Sequence, residues 1–326
     1  MTPMARSCRM ADQRAKVRSA HMSVIAERRG LSETQVGIML GLVTVAIWGA
    51  YLAMNRFGTA SGLTMADLAL VRYGIGTLVL LPWLITHSPA TLGGLGWRHG
   101  IIMTMILGPS FMYLAVGGYY FAPLAHGAVF QPSGLIVSGL VLGAFVLGET
   151  IRAAHLVGIV IILAGLSLVA GPALFQGGNH AFLGDILFFI AGSSWGLFTV
   201  LAKRWRSDPI AATAAVSILS GVVFVPLFIA TDTFERLGAL PWPSLVAQVV
   251  VQGVLAAVVA TITFTKAAQL IGASRVSVFP ALVPGIAILI GAPVTGEWPS
   301  LTQASGIAVV VVGLLTAIGT FQRRRR

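Results

Sequence analysis

Residues 37–56, GIMLGLVTVAIWGAYLAMNR, and residues 184–203, GDILFFIAGSSWGLFTVLAK, decide the fold between them. Gly37, Trp48-Gly49 and Arg56 of the first return as Gly184, Trp195-Gly196 and Lys203 of the second, each displaced by 147 positions. A second block continues the pattern. Pro132, Gly148-Glu149, Gly158, Gly165 and Gly171 return as Pro280, Gly296-Glu297, Gly306, Gly313 and Gly319, each displaced by 148, and a single loop insertion accounts for the one-residue drift. A chain with this self-similarity is one structural unit used twice.

The repeated unit is apolar. Of 326 residues 56% are hydrophobic and 10% charged, with a mean hydropathy of +0.90, against about 25% charged in a soluble domain. That excludes an ordinary soluble enzyme. The 38 glycines and 15 prolines are spread through apolar runs, which excludes a disordered chain. One cysteine, Cys8, excludes an intrachain disulfide. A helix needs about 20 apolar residues to cross a bilayer, and ten stretches qualify: 35–54, 64–86, 99–119, 123–147, 153–172, 183–203, 209–230, 244–265, 272–294 and 299–320. The expected fold is all-α, a polytopic membrane protein of ten transmembrane helices in two inverted five-helix repeats. Residues 1–34 are expected to form a cytoplasmic tail, lacking the apolar core of a signal peptide. Repeats follow at 35–172 and 183–320, then a basic tail at 321–326.

Charge sets the orientation. The net charge of +11 comes from 21 Lys and Arg residues, of which 18 fall on the side of the termini, two (Arg56 and Arg236) on the other, and one (Arg72) inside a span. This bias puts both termini in the cytoplasm. Because the basic residues lie between apolar runs and not on one domain face, no nucleic-acid partner is expected; the partners are the lipid bilayer and a small-molecule substrate.

Five spans per half is an odd number, so the second half enters the membrane from the opposite side. Inverted repeats of this kind are a construction plan of secondary transporters, with substrate bound near the midplane and exposed to each side in turn. An apolar span with Trp-Gly, a proline-bearing span ending in Gly-Glu and a span beginning with Gly, all present twice, resemble the EamA family of the drug/metabolite transporter superfamily over residues 35–320. One departure is visible: the family tends to carry a proline thirteen residues before the Gly-Glu glutamate, where the second half has Pro284 and the first has Ile136, with Pro132 nearby. The resemblance implies a cavity lined by the first, third, fourth, sixth, eighth and ninth spans, and an exporter in the inner (plasma) membrane.

On those spans the candidate substrate-binding residues are Trp48, Tyr51, Tyr113, Phe130, Gln131, Trp195, Phe198, Gln252, Phe264 and Phe279. An aromatic, mostly uncharged pocket binds amphipathic solutes, such as amino acids and related compounds, through apolar area, with few polar groups to orient them. Each aromatic also has the plainer reading of helix packing, and each glutamine that of a helix-to-helix hydrogen bond. Pro132, Pro280 and Pro284 each remove an amide donor inside a span, marking candidate hinges or simple kinks. His126 is a candidate for a proton switch, histidine being the side-chain type whose charge changes most readily under physiological conditions. Arg72 is costly to bury unpaired, by about 2.5 kcal/mol or more; Asp67, five positions earlier, is badly placed to pair with it on the same helix, so a structural ion pair with another helix, or the substrate, is expected. Glu149 and Glu297 are expected to fix the turns between spans. The glycines at 158, 165, 171, 306, 313 and 319 allow close backbone approach, within the fold or between two copies in a homodimer.

No Gly-x-x-x-x-Gly-Lys-Ser/Thr loop or His-Glu-x-x-His motif is present. No enzyme activity, cofactor or metal is expected. A non-transporting membrane subunit or sensor for another protein is the competing reading, resting on the sparse polar lining and the glycine-rich fifth and tenth spans.

Overall fold

The computed structural model describes residues 32–122, 124–175, 178, 180–229, 232–295 and 298–318. Among these residues the chain is helical without strands, and ten helical segments are long and apolar enough to cross a membrane. Most of both tails, Glu297 and Gly319 lie outside the described residues.

The first span, Glu33–Ala60, opens on a capping box formed by Ser32 and Gln35 and outruns its apolar stretch at both ends. The second, Met65–Thr86, opens on the same device, with Thr64 and Asp67. The fourth is Leu124–Leu147, the fifth Ala153–Ala170, the sixth Ala181–Arg204, the seventh Pro209–Ile229 and the tenth Leu301–Ile318.

The other three spans are broken, the third and the eighth where an uninterrupted helix was expected. The third is split at Gly108 between Trp97–Leu107 and Pro109–Gly117, because Pro109 has no amide hydrogen to continue the ladder. The eighth, its repeat equivalent, passes through a π-helical stretch, Val249–Val259, between Trp242–Gln248 and Ala260–Ile271. The ninth consists of Ala273–Val276, a 3-10 turn Phe279–Leu282 and Val283–Thr295. Pro284 cannot donate to the Pro280 carbonyl, and the amide of Val283 takes that carbonyl instead, which tightens the turn. The fourth helix runs unbroken across Pro132, since a lone proline removes one bond and the flanking turns hold.

The halves interleave. The fourth span packs most extensively on the sixth, the fifth on the tenth, the second on the seventh, and the first on the eighth and ninth. Without a hydrophobic drive between helices in lipid, close backbone approach does this work, and glycines provide it in matched pairs. A side chain on Gly49 would collide with Ile286, and one on Gly196 with Ser138; the second contact is the first shifted into the other repeat. The glycines of the fifth and tenth spans meet one another's backbones: Gly158 against Ala317 and Gly313, Gly165 against Val310 and Gly306. These glycine faces are thus occupied within the chain. Large apolar side chains such as Phe145, Val160 and Leu78 cover the outside, as a lipid-facing surface requires.

Candidate functional site

The two repeats meet at their tryptophans. Trp48 and Trp195 stand edge to face with ring centroids 4.8 Å apart, and Phe264 lies 5.0 Å from Trp48 and 5.9 Å from Trp195. Phe198 and Phe111 complete the cluster at 5.9 and 6.1 Å from Trp195. The glycine following each tryptophan lets the ninth or fourth span come close enough to enclose the rings. All five rings are buried, so the centre of the molecule is closed in this conformation.

Other candidates lie elsewhere. Tyr113 is 69% exposed and points away from the cluster. Phe111, which the sequence reading passed over, takes the inward place; two positions on a helix differ by about 200°, so only one of the pair faces in. Phe279 is buried against Gly41 of the first span. Phe130 stacks over His126 with centroids 6.2 Å apart, and Gln131 is half-buried, its carbonyl closed over by Gly192. Pro280 and Pro284 are buried.

The polar groups separate into distinct settings. Gln252 donates to Asn55 and to Gln248, whose own amide donates to the Met54 carbonyl at 3.0 Å. Gln252 is therefore engaged between the eighth and first spans. The four-residue spacing of Gln248 and Gln252 on one apolar helix was the readable signal of that network. His126 pairs through Nδ1 with Asp185 at 2.7 Å, joining the fourth and sixth spans, and its Nε2 is buried with no partner.

Asp67 does not serve Arg72. Its buried carboxylate accepts two hydrogen bonds of 2.8 Å from Arg236, which lies on a short helix after the seventh span. The ion pair expected for Arg72 is not formed: among the described residues it makes no salt bridge or hydrogen bond, and its guanidinium sits over the rings of Tyr51 and Tyr73, 5.0 and 5.9 Å from their centroids. The Tyr73 hydroxyl donates to the Leu107 carbonyl at 3.1 Å. A cavity of about 10 Å3 beside Arg72 is lined by Thr213, Ser217 and Thr261, among others.

Glu149 does more than fix a turn within its own half. Its carboxylate accepts from Lys203 at 2.7 Å and from the amides of Ala273 and Ser274 at 2.9 Å each, tying the end of the fourth span to the sixth and capping the first turn of the ninth. Burial pushes its carboxyl up, but Lys203 and the amides of Ser274 and Ala273 outweigh that and hold it below the ordinary glutamate value. Beside it a cleft of about 400 Å3 is lined by Arg152, His155, Lys203 and Arg275, among others.

The chain is similar to known proteins. The uncharacterized transporter YoaV of Bacillus subtilis is 22% identical over 295 residues, covering 89% of this chain and 99% of that protein. A second uncharacterized transporter of the same organism, YyaM, is 22% identical over 77% of this chain and 83% of its own length, and one from Archaeoglobus fulgidus is 22% identical over 85% and 95%. A solved crystal structure, 16% identical, superposes with a TM-score of 0.65 over 86% of this chain and 96% of its own, a likeness of fold. The EamA-like transporter family matches twice, over residues 35–171 and again over 182–319, the two stretches whose tryptophans meet at the centre. The chain is a multi-pass membrane protein that belongs to the EamA-like transporter family, within the drug/metabolite transporter superfamily.

Proposed function

We propose that this protein is a secondary carrier of the inner (plasma) membrane, with both termini in the cytoplasm, that exports small amphipathic metabolites such as amino acids or related compounds. It works by alternating access and catalyses no chemical reaction. The observation that carries this reading is the meeting of Trp48 with Trp195 between two inverted halves. A site on that pseudo-symmetry axis is reached from either side by equivalent movements of the two halves, which is what alternating exposure needs. The breaks in the third, eighth and ninth spans supply places where short segments can swing without unwinding whole helices. The closed aromatic centre is then the occluded member of the cycle.

Purified protein in liposomes should show saturable, counter-flow-stimulated movement of at least one solute from a panel of amino acids, nucleobases and cationic drugs. No movement of any member would remove support from the carrier reading. Because a closed centre also suits a non-transporting membrane subunit, that result would favour this second reading.

A further inference from the structure

Arg72 lies about two turns into the second span and is buried, and among the described residues its charge has no acidic partner. The whole chain holds ten carboxylate side chains, of which Asp12, Glu27 and Glu297 lie outside the described residues. Of the others, Asp67 is held by Arg236, Glu149 by Lys203, and Asp185 by His126. Asp208 caps the seventh span, Glu33 starts the first, and Asp232 and Glu235 lie on the short helix after the seventh span. A cation in this position is stabilised by pairing, since lipid and protein interior solvate it poorly. The rings of Tyr51 and Tyr73 supply part of that stabilisation from their faces but accept no strong hydrogen bond from the guanidinium.

The surroundings are polar, and the hydroxyls of Thr213 and Thr261 already donate to the carbonyls of Pro209 and Ala256, which leaves Arg72 as the group that would hold a charge. Thr213, Ser217 and Thr261, from the seventh and eighth spans, line the small cavity next to Arg72. The cavity has room for about one water in the closed state. Tyr51 is three positions after Trp48 on the first span and so shares its face, which places the guanidinium beside the aromatic cluster. The corresponding position in the second half is Leu219, so the charge stands on one side of the pseudo-symmetry axis.

We infer that Arg72 is the anchor for the carboxylate of an organic anion, whose apolar body packs against Tyr51 and the Trp48–Trp195 cluster when the centre opens. This names a substrate class, aromatic or aliphatic carboxylates, and rests on the carrier reading for its physiological meaning. A planar guanidinium binds a carboxylate through two parallel hydrogen bonds, which an amide of the same shape cannot reproduce.

The test compares phenylacetate, indole-3-propionate and L-tryptophan with their matched amides, by ligand-induced shift in the melting temperature of the purified protein at constant chloride. The acids should bind roughly tenfold or more tightly than the amides. This preference should vanish in Arg72→Gln, weaken in Arg72→Lys and survive in Tyr51→Phe. Equal binding of acids and amides, no binding of any acid, or an undiminished preference in Arg72→Gln would overturn the inference. The acid-against-amide comparison in the unaltered protein decides the matter even if the Arg72 variants fail to fold. Binding without counter-flow in liposomes would sink the carrier reading and leave the anion site standing. Transport of neutral or cationic solutes with no acid preference would do the reverse.

Discussion

Trp48 and Trp195 occupy equivalent positions in two oppositely oriented repeats and touch edge to face, 4.8 Å between ring centroids. Removing either should therefore act on both halves at once. Trp195→Ala, which also strips contacts from Phe111, Phe198 and Phe264, should destabilise the protein by roughly 3 kcal/mol or more and abolish counter-flow. Trp195→Phe keeps an aromatic edge and should cost only about 1 kcal/mol of pair energy. Thermal unfolding in detergent beside liposome transport would check both, and a fully active, equally stable Trp195→Ala variant would show that the cluster is dispensable.

The fifth and tenth spans offer a sharper stability test. A leucine at Gly165 or Gly313 meets the backbone of the opposite helix as well as the side chain of Val310 or Ile162, so each change should lower stability by at least about 1–3 kcal/mol. Gly238→Ala, which has open space around it, is the matched control and should be close to neutral. Equal melting temperatures for Gly165→Leu and Gly238→Ala would contradict the packing described here.

Glu149 predicts a pH dependence with a definite sign. Its carboxyl is held below the ordinary glutamate value in the folded protein, so the unfolded chain binds the proton more readily. The stabilisation is present in full above the unfolded value and is lost as pH falls through the folded one. Unfolding measured in a series from neutral to acidic pH should show this loss, and Glu149→Gln should flatten that part of the profile. An unchanged profile would mean that the Lys203, Ala273 and Ser274 contacts do not persist in solution.

The prolines should not be interchangeable. Pro280→Ala restores a donor at the break in the ninth span, whereas Pro132→Ala alters a helix that is already continuous. The first change should bias the carrier strongly toward one facing state. The second should bias it weakly toward the other, because the two positions are related by inversion. Single cysteines flanking the aromatic cluster, introduced after Cys8 is replaced, report accessibility from each side. Identical labelling in the parent and both variants would place the gate elsewhere.

Much of this was legible in the residues. Ten apolar runs and a twofold pattern of Trp-Gly and Gly-Glu dictate spans, count and inversion, because lipid allows few alternatives to helices. The equivalence of Trp48 and Trp195 was legible from their spacing, whereas their contact was not. What stayed hidden depends on helix rotation and on contacts between distant segments. Nothing in the composition of residues 249–259 distinguishes a π-helix from an α-helix, and nothing near Asp67 indicates that its partner would be Arg236, 169 positions later. Tyr113 was named and Phe111 was not, because residue type alone does not fix the helix phase that turns Phe111 inward.

The interleaving of the halves also constrains how the molecule is made. During synthesis the first five spans enter the bilayer before the sixth to tenth exist, yet the first, second, fourth and fifth each find their main packing partner in that later set. The early half must wait in lipid with its glycine faces uncovered and with the carboxylates of Asp67 and Glu149 lacking their eventual cations. The packing is complete only when the last span lies along the fifth. A chain cut short before Leu301 would leave the Gly158 and Gly165 face without the helix that covers it.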